Sequence, residues 1–426
     1  MSANAWRIEV TAGITTFLTM AYIVVVNPTI LSTTGMPFED VFFATCIASA
    51  ASTLIMALLA KLPFALAPGM GLNAFFAYTV CGALGIPWQT ALAAVFVSGI
   101  AFLVLSLTGL RTAVARAVPP DLIRAIAAGI GLFIAFIGLV NGGIVVDHPA
   151  TLVTLGDLTT PTAIAASAGL LITVSLTALR IPGGILLGIG ATGCVAVLLG
   201  LAPAPETLIR IPSLPRATFF AAFTAFPRVF DAPILPVLFT MLFLDLFDTM
   251  GTLFALGHAS SKVDEHGRLP NADKAFMADA GGTIIGSLLG TSTVTTYIES
   301  AAGIAVGGRT YRTAVVVAAL FLATLPFLPL IAATPTVATA PALVVVGALM
   351  FKESARIAWK DPAVAPAAMA TMLVMPATYN ISNGIGAGFI LYAAANLVKK
   401  RFDRLTLPVI VISILFVLYF VYRPGG

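Results

Sequence analysis

Apolar runs about twenty residues long follow one another along almost the whole chain, and nearly all of the charge lies between them. Of 426 residues, 59% are hydrophobic and 9% charged, with a mean hydropathy of +1.04. A soluble domain carries about 25% charged residues. A run of this length lets a helix cross the hydrocarbon core, and a segment in lipid must satisfy its own backbone. The chain therefore reads as an all-α polytopic membrane protein whose first partner is the lipid bilayer. The net charge of +4 is scattered over loops and forms no basic stripe, so no nucleic acid is expected. Cys46, Cys81 and Cys194 sit inside apolar runs and match neither a disulfide framework nor a metal spacing. The first ten residues lead into a span containing Asn27 and Pro28 and lack a small-residue cleavage site, so a cleaved signal is not expected.

Read at span length, the first half holds segments at 11–33, 41–60, 89–109, 121–141, 161–180 and 183–201, with a broken one at 64–83 third in order. A Pro- and Phe-rich linker follows, suited to a short interfacial helix near Phe219, Phe220, Phe223 and Phe226. The second half holds 235–257, 275–290, a broken 292–307, 311–331, 338–356, 362–380 and 383–399. A last apolar run, 406–422, has no counterpart. The halves align: F17-L-T-M-A-Y22 lies over F247-D-T-M-G-T252, and I47–A60 over M277–G290, both at a shift of 230. The broken segments align at 226, with Asn73 over Glu299, and I181–G188 lies over I381–G388 at 200. About fourteen segments as two repeats of seven are implied, and an odd repeat must be inverted in the membrane. With the N-terminus inside, 18 Lys and Arg fall on the inner side against Arg210, Arg216 and Arg228 outside, with Arg423 unassigned. That satisfies the positive-inside rule. The expected location is the plasma (inner) membrane, multi-pass, with a cytoplasmic N-terminus.

Two short interrupted stretches, one per half, point to a transporter's binding site. The first, F64-A-L-A-P-G-M-G-L-N-A-F-F, is broken by Pro68, Gly69 and Gly71, which permit close backbone approach. Asn73 there offers both a donor and an acceptor. The second, T291-S-T-V-T-T-Y-I-E-S-A-A-G, carries Glu299 with no basic residue in its own span. A charge at membrane depth costs roughly 2.5–3.5 kcal/mol on insertion scales and is by default functional. The competing reading of Glu299 is a helix cap or an arginine partner. In F243-L-D-L-F-D-T-M-G251, Asp245 and Asp248 lie three apart, near one helix face. Carboxyl groups in such surroundings suit proton coupling. Asp245 reads as a ligand, whereas Asp248 and Asp279 read equally well as supports for neighbouring backbone. Gly188 to Gly193 matches a dinucleotide fingerprint, but it lies inside a membrane helix with no preceding strand, so that reading is rejected. Gly184 with Gly188, and Gly384 with Gly388, are instead small-residue pairs for close helix packing. His148, His258 and His266 form no metal cluster. The absence of zinc-protease, nucleophile-elbow and P-loop motifs argues against an enzyme or an ATP-driven pump.

Three strings, A-P-G-M-G-L-N-A-F-F-A-Y, L-F-L-D-L-F-D-T-M-G-T-L and T-S-T-V-T-T-Y-I-E-S-A-A-G, together with the opening E-V-T-A-G-I-T-T-F-L-T-M-A-Y, resemble the AzgA-like purine permeases of the nucleobase–ascorbate transporter superfamily. The resemblance runs from about Glu9 to Lys400. It implies that segments 3 and 10 pair as short antiparallel strands. It also implies a core domain of 1–110 and 235–332, a gate domain of 111–203 and 333–426 often used for homodimerisation, and a linker of 204–234. It carries the substrate contacts over to Asp245, Glu299 and Asn73. The uracil branch has a His one turn after its eighth-segment acid; Thr249 stands there here, so the proton path does not carry over.

The expectation is a secondary transporter, not an enzyme and without cofactor or metal. It would import purine bases, hypoxanthine or guanine and also adenine, with a proton and by elevator-type alternating access. Substrate binding is expected from Asp245, Glu299, Asn73, Gly71, Phe75, Tyr297 and Thr296, with Phe76 a further stacking candidate. Coupling or support is expected from Asp248, Thr249, Asp279 and Glu299. The rivals are a xanthine, uracil or anion carrier on the same fold and, more distantly, an intramembrane enzyme.

Overall fold

The computed structural model describes residues 3–108, 118–210, 213–231, 234–263 and 269–421. Arg111, Arg116, His266, Arg268 and Arg423 lie outside them. Among the described residues nine helices are long and apolar enough to cross a membrane, joined by four shorter apolar helices. The first half runs α1 (Ala3–Met20), α2 (Ile23–Ser32), α3 (Phe38–Ile55), β1 (Leu66–Pro68), α4 (Met70–Ala74, continued by wider π turns to Ala83), α5 (Trp88–Thr108) and α6 (Pro120–Asn141). A hairpin, β2 (Val145–His148) and β3 (Leu152–Leu155), then leads into α7 (Pro161–Ala178) and α8 (Gly184–Leu198). The linker holds a short helical turn, Ala221–Thr224, where one was expected.

The second half repeats this order with α9 (Leu235–Ala259), α10 (Ala272–Leu289), β4 (Val294–Thr296), α11 (Ser300–Ala305), α12 (Tyr311–Thr324), α13 (Thr336–Phe351), α14 (Val364–Thr378) and α15 (Ile381–Val398). The last apolar run becomes α16 (Leu407–Val421) and packs on α15. Local chemistry sets several starts. Thr160 caps α7 by accepting from the Ala163 N–H at 3.3 Å, and Asn380 caps α15 by accepting from the Asn383 N–H at 3.3 Å. Pro161 and Pro120 stand in the first turns of their helices, where a missing N–H costs nothing.

The broken segments meet as an antiparallel pair, with Leu66 opposite Thr296, Ala67 opposite Thr295 and Pro68 opposite Val294. The ladder continues at both ends, Gly69 N–H to Thr293 O and Tyr297 N–H to Ala65 O, each at 2.9 Å. Outer edges are closed by one threonine per half. Thr53 of α3 bonds both backbone groups of Leu66, at 2.9 and 3.1 Å. Thr283 of α10 bonds both of Val294, at 3.0 and 3.2 Å. Buried backbone polar groups are thus satisfied in a place where lipid offers no partner. The register equates Leu66 with Val294 and Pro68 with Thr296, an offset of 228 rather than 226. Gly71, not Asn73, is therefore the counterpart of Glu299. Alignment on the polar residues was misled, because strand pairing rather than side-chain similarity sets the equivalence.

Around this crossing, α10 packs on α3 and α5, and α12 packs on α1 and α3. A second group joins α6 to α13 and α14, α7 to α8, α13 to α7 and α8, and α14 to α15. Small residues permit the close pairs: Gly188 faces Thr173, and Gly388 faces Thr371. The linker is strapped to α3 and α10. Arg210 pairs with Glu39 at 2.6 Å, the Asp40 carboxylate accepts from the N–H groups of Arg216, Ala217 and Thr218, and Phe220 N–H bonds Leu288 O at 2.8 Å.

At the opposite end Asp361 ties two loops. It accepts from the Ala363 N–H at 3.0 Å, from Arg401 at 2.8 and 2.9 Å and from Arg404 at 2.7 Å. The Ala363 N–H and the two guanidinium groups hold its carboxyl below the usual carboxylate range. Because the folded-state value is depressed, this knot contributes fully above the unfolded pKa of about 3.9 and is lost as pH falls through the folded value. Asp361→Asn should cost roughly 1 kcal/mol at neutral pH, since both arginines are partly solvated. The loss, read as a lower melting temperature in detergent, should shrink as pH falls below the unfolded value of about 3.9.

Candidate functional site

Each half-helix begins where a strand leaves the crossing, so what stands there is held at the centre of the fold. Glu299 is the residue before α11, at the end of the half-helix where negative charge is favoured. Its Oε1 accepts the Tyr22 hydroxyl at 2.7 Å. Tyr22 occupies an interruption between α1 and α2, where Val24 and Val25 N–H groups fall back to bonds three residues earlier, at 3.2 and 3.1 Å. Sequence reading missed Tyr22. The available signal was a tyrosine in mid-span, a turn and a half before Asn27 and Pro28.

α11 is clamped from its far end. The Arg309 guanidinium donates to Ile304 O at 2.9 Å, capping the last carbonyls of the half-helix. Buried Glu9 accepts from the N–H groups of Arg309 and Thr310, both at 3.3 Å, and from the Thr313 hydroxyl at 2.5 Å. α11 also lies directly on α1: a Cβ on Gly303 would meet the Ala12 carbonyl at 2.5 Å and the Thr16 hydroxyl.

On α9, Asp248 stands within electrostatic reach of Glu299 and faces the Thr295 hydroxyl. It is enclosed by protein, yet its side chain is exposed, so it borders an internal crevice. Ile298 is 49% exposed and Glu299 is half-buried. Asp245, one turn earlier, is fully buried. Asp279 of α10 accepts from the Thr249 hydroxyl at 2.6 Å and the Thr296 hydroxyl at 3.1 Å, while Thr249 and Thr295 lie 3.1 Å apart. This network fastens α9, α10 and β4 to one another.

Across the crossing, Tyr297 donates its hydroxyl to Pro68 O at 2.5 Å. Asn73 is fully buried. Its Oδ1 accepts the Ser292 hydroxyl, and its Nδ2 has no hydrogen-bond partner among the described residues. Gly71 lies against Ile130 of α6, where a Cβ would come within 2.9 Å of a methyl group. Phe75 and Phe76 are fully buried. The structure thus gathers Glu299, Asp248, Tyr22, Tyr297, Thr296 and the Asp279–Thr249 pair on one side of the strands. Asn73, Gly71 and Phe75 lie along the other half-helix. Among the described residues no His, Cys, Asp and Glu group could hold a metal ion.

Two half-helices crossing at paired strands, with acids beside them, form a transport site in outline, and comparison with known proteins fixes its family. The pattern of the Permease family matches residues 7–387. The chain belongs to this family. It is 44% identical over 413 residues to guanine/hypoxanthine permease PbuO of Bacillus subtilis (strain 168), covering 96% of this chain and 95% of PbuO. It is 42% identical over 429 residues to PbuG of the same strain, also a guanine/hypoxanthine permease, covering 98% and 97%. It is 38% identical over 422 residues to adenine permease AdeP of Escherichia coli (strain K12), covering 98% and 93%. The resemblance drawn from the three strings therefore holds over nearly the whole chain. The solved transmembrane domain of the cyanobacterium bicarbonate transporter BicA shares the fold, with a TM-score of 0.63 at 15% identity over 91% of this chain and 98% of that domain. This permease is accordingly a multi-pass membrane protein, and its fold is also used for an anion.

Because α11 positions Glu299 by contact with α1, Gly303→Ala in the permease should push the half-helix aside. Uptake of its substrate should fall by at least about tenfold, the equivalent of 1.4 kcal/mol, while the amount of protein in the membrane stays near normal on an immunoblot.

Proposed function

We propose that this permease imports purine bases, hypoxanthine and guanine first and adenine second, together with a proton. The observation that carries this reading is the pair Asp248 and Glu299, facing a crevice at the strand crossing with no salt bridge to either among the described residues. Carboxylates accept hydrogen bonds and donate none. A neutral heterocycle with N–H groups along one edge is their natural complement. Hypoxanthine offers N1–H, and guanine adds its 2-amino group; adenine presents an acceptor at N1. The names of PbuO, PbuG and AdeP support the same class. An anion would be repelled, so the fold shared with BicA does not favour an anion substrate here.

In this reading Glu299 and Asp248 hold the N–H edge, with Asp245 as the second acid of α9. Asn73 Nδ2 donates to an acceptor on the other edge, and Phe75 and Tyr297 flank the ring. Tyr22 orients Glu299 with one hydrogen bond. Asp279, Thr249 and Thr296 hold the acids in register. Residues 1–110 and 235–332 act as a core moving against a gate of 111–203 and 333–426, in an inner-membrane homodimer with a cytoplasmic N-terminus. The two helix groups that pack separately support that division.

Tracer uptake of hypoxanthine tests the assignment. Loss of one charge-assisted hydrogen bond is worth about 1.5–3 kcal/mol, or ~10–100-fold in affinity. Glu299→Gln and Asp248→Asn should each lose at least that much, whereas Tyr22→Phe should raise KM several-fold with little change in maximal rate. Uptake at wild-type rates in both acid variants would end the proposal. Xanthine or uracil competing better than hypoxanthine would move the permease to another substrate branch.

Coupling has its own test. A protonophore should abolish accumulation above the external concentration while leaving equilibration intact. Accumulation that survives it and follows external sodium would replace the proton by sodium.

A further inference from the structure

A cavity of about 430 Å³ lies away from the acids, at the end of the protein where α2 turns into α3. Its volume is typical of small-molecule sites. Thr33, Thr34, Tyr78, Cys81, Trp88 and Gln89 line it, and none of its lining residues is charged. The Trp88 indole and the Gln89 carboxamide are half-buried, and no hydrogen bond among the described residues uses either. Thr33 and Thr34 spend their hydroxyl protons on Ile30 O and Leu31 O, both at 2.7 Å, which leaves their oxygens as acceptors. Gly35 and Gly85 border open space, where an added Cβ would meet nothing within 4 Å.

One wall belongs to the half-helix that starts at the strand crossing. Ala77 and Tyr78 line the cavity, and Ala77 is six residues beyond Gly71, about 9 Å along a helix. Tyr78 is backed by aromatic rings. Tyr78 meets Phe133 of α6 edge to face at 6.3 Å, and Phe133 and Phe136 pack on Tyr379 at 5.6 and 5.7 Å.

We propose that this cavity is a receiving subsite for the nucleobase, occupied before the base passes to Glu299. The inference rests on the purine reading of the central site. A pocket without charged side chains offers no counter-charge to an ion. Aromatic rings of Trp88 and Tyr78 suit the face of a flat heterocycle, as in other stacking sites for bases. The Gln89 amide can donate and accept along one edge, and the threonine oxygens accept from another.

The experiment uses the full chain with Trp6→Phe and Trp359→Phe, so that Trp88 is the one remaining tryptophan, in detergent with hypoxanthine as probe. Excitation at the red edge of indole absorption should show saturable quenching of Trp88. Adding Glu299→Gln, which disables the central site, should change the half-saturating concentration by less than about twofold. Adding Gln89→Ala to that variant should raise it about tenfold. Quenching that disappears with Glu299→Gln overturns the subsite. So does quenching that never saturates, as for a free indole in solution, and Trp88 is then an interfacial anchor only. A parent chain that takes up no hypoxanthine overturns the purine reading and the subsite together. Uptake with no saturable quenching overturns the subsite alone.

Discussion

Three residues of β1 lying against three of β4 are the constraint on which the rest depends. Neither stretch can be a helix, and neither can bond water at the centre of a bilayer. Each satisfies the other, and Thr53 and Thr283 close the outer edges. The pairing fixes where both half-helices begin, and therefore where Glu299, Tyr297 and Asn73 stand. The strands also explain why two distant parts of the chain must fold together: each alone would bury unpaired backbone.

What surrounds the crossing follows from that need for satisfaction. Glu299 finds a hydroxyl on the interrupted first span, and Asp279 finds two on neighbouring elements. Arg309 and Glu9 close the helix ends that the breaks create. Asp248 differs, because its side chain keeps access to a crevice. A residue held in a polar network and an acid with an exposed side chain thus sit next to one another, at Thr249 and Asp248. The chain shares its fold with BicA, and a fold alone does not dictate a cargo.

Much of the architecture was legible in the chain. Most span positions matched the helices to within a few residues, because apolar length is set by bilayer thickness; the first, read as one span at 11–33, is two helices, Ala3–Met20 and Ile23–Ser32. The two broken segments were visible from Pro68, the glycines and Glu299. Their offset was not, since Asn73 over Glu299 is the better chemical match and 228 is the register of the ladder. The relative standing of Asp245 and Asp248 was equally hidden. Residues three apart share a helix face only loosely, and which one opens to a crevice depends on α10, α11 and β4. Tyr22 left only a faint trace, because its partner is 277 positions away.

Composition and periodicity alone determined that this chain spans a membrane many times, that its two halves repeat one order of segments, and that acids lie at membrane depth. Those are properties of short windows, read against a solvent that tolerates neither charge nor unpaired backbone. Only the tertiary structure decided which acid meets the crevice, which hydroxyl orients Glu299 and which residues correspond between the halves. Each of those depends on contacts between segments that are separate in the chain, and no local pattern records them.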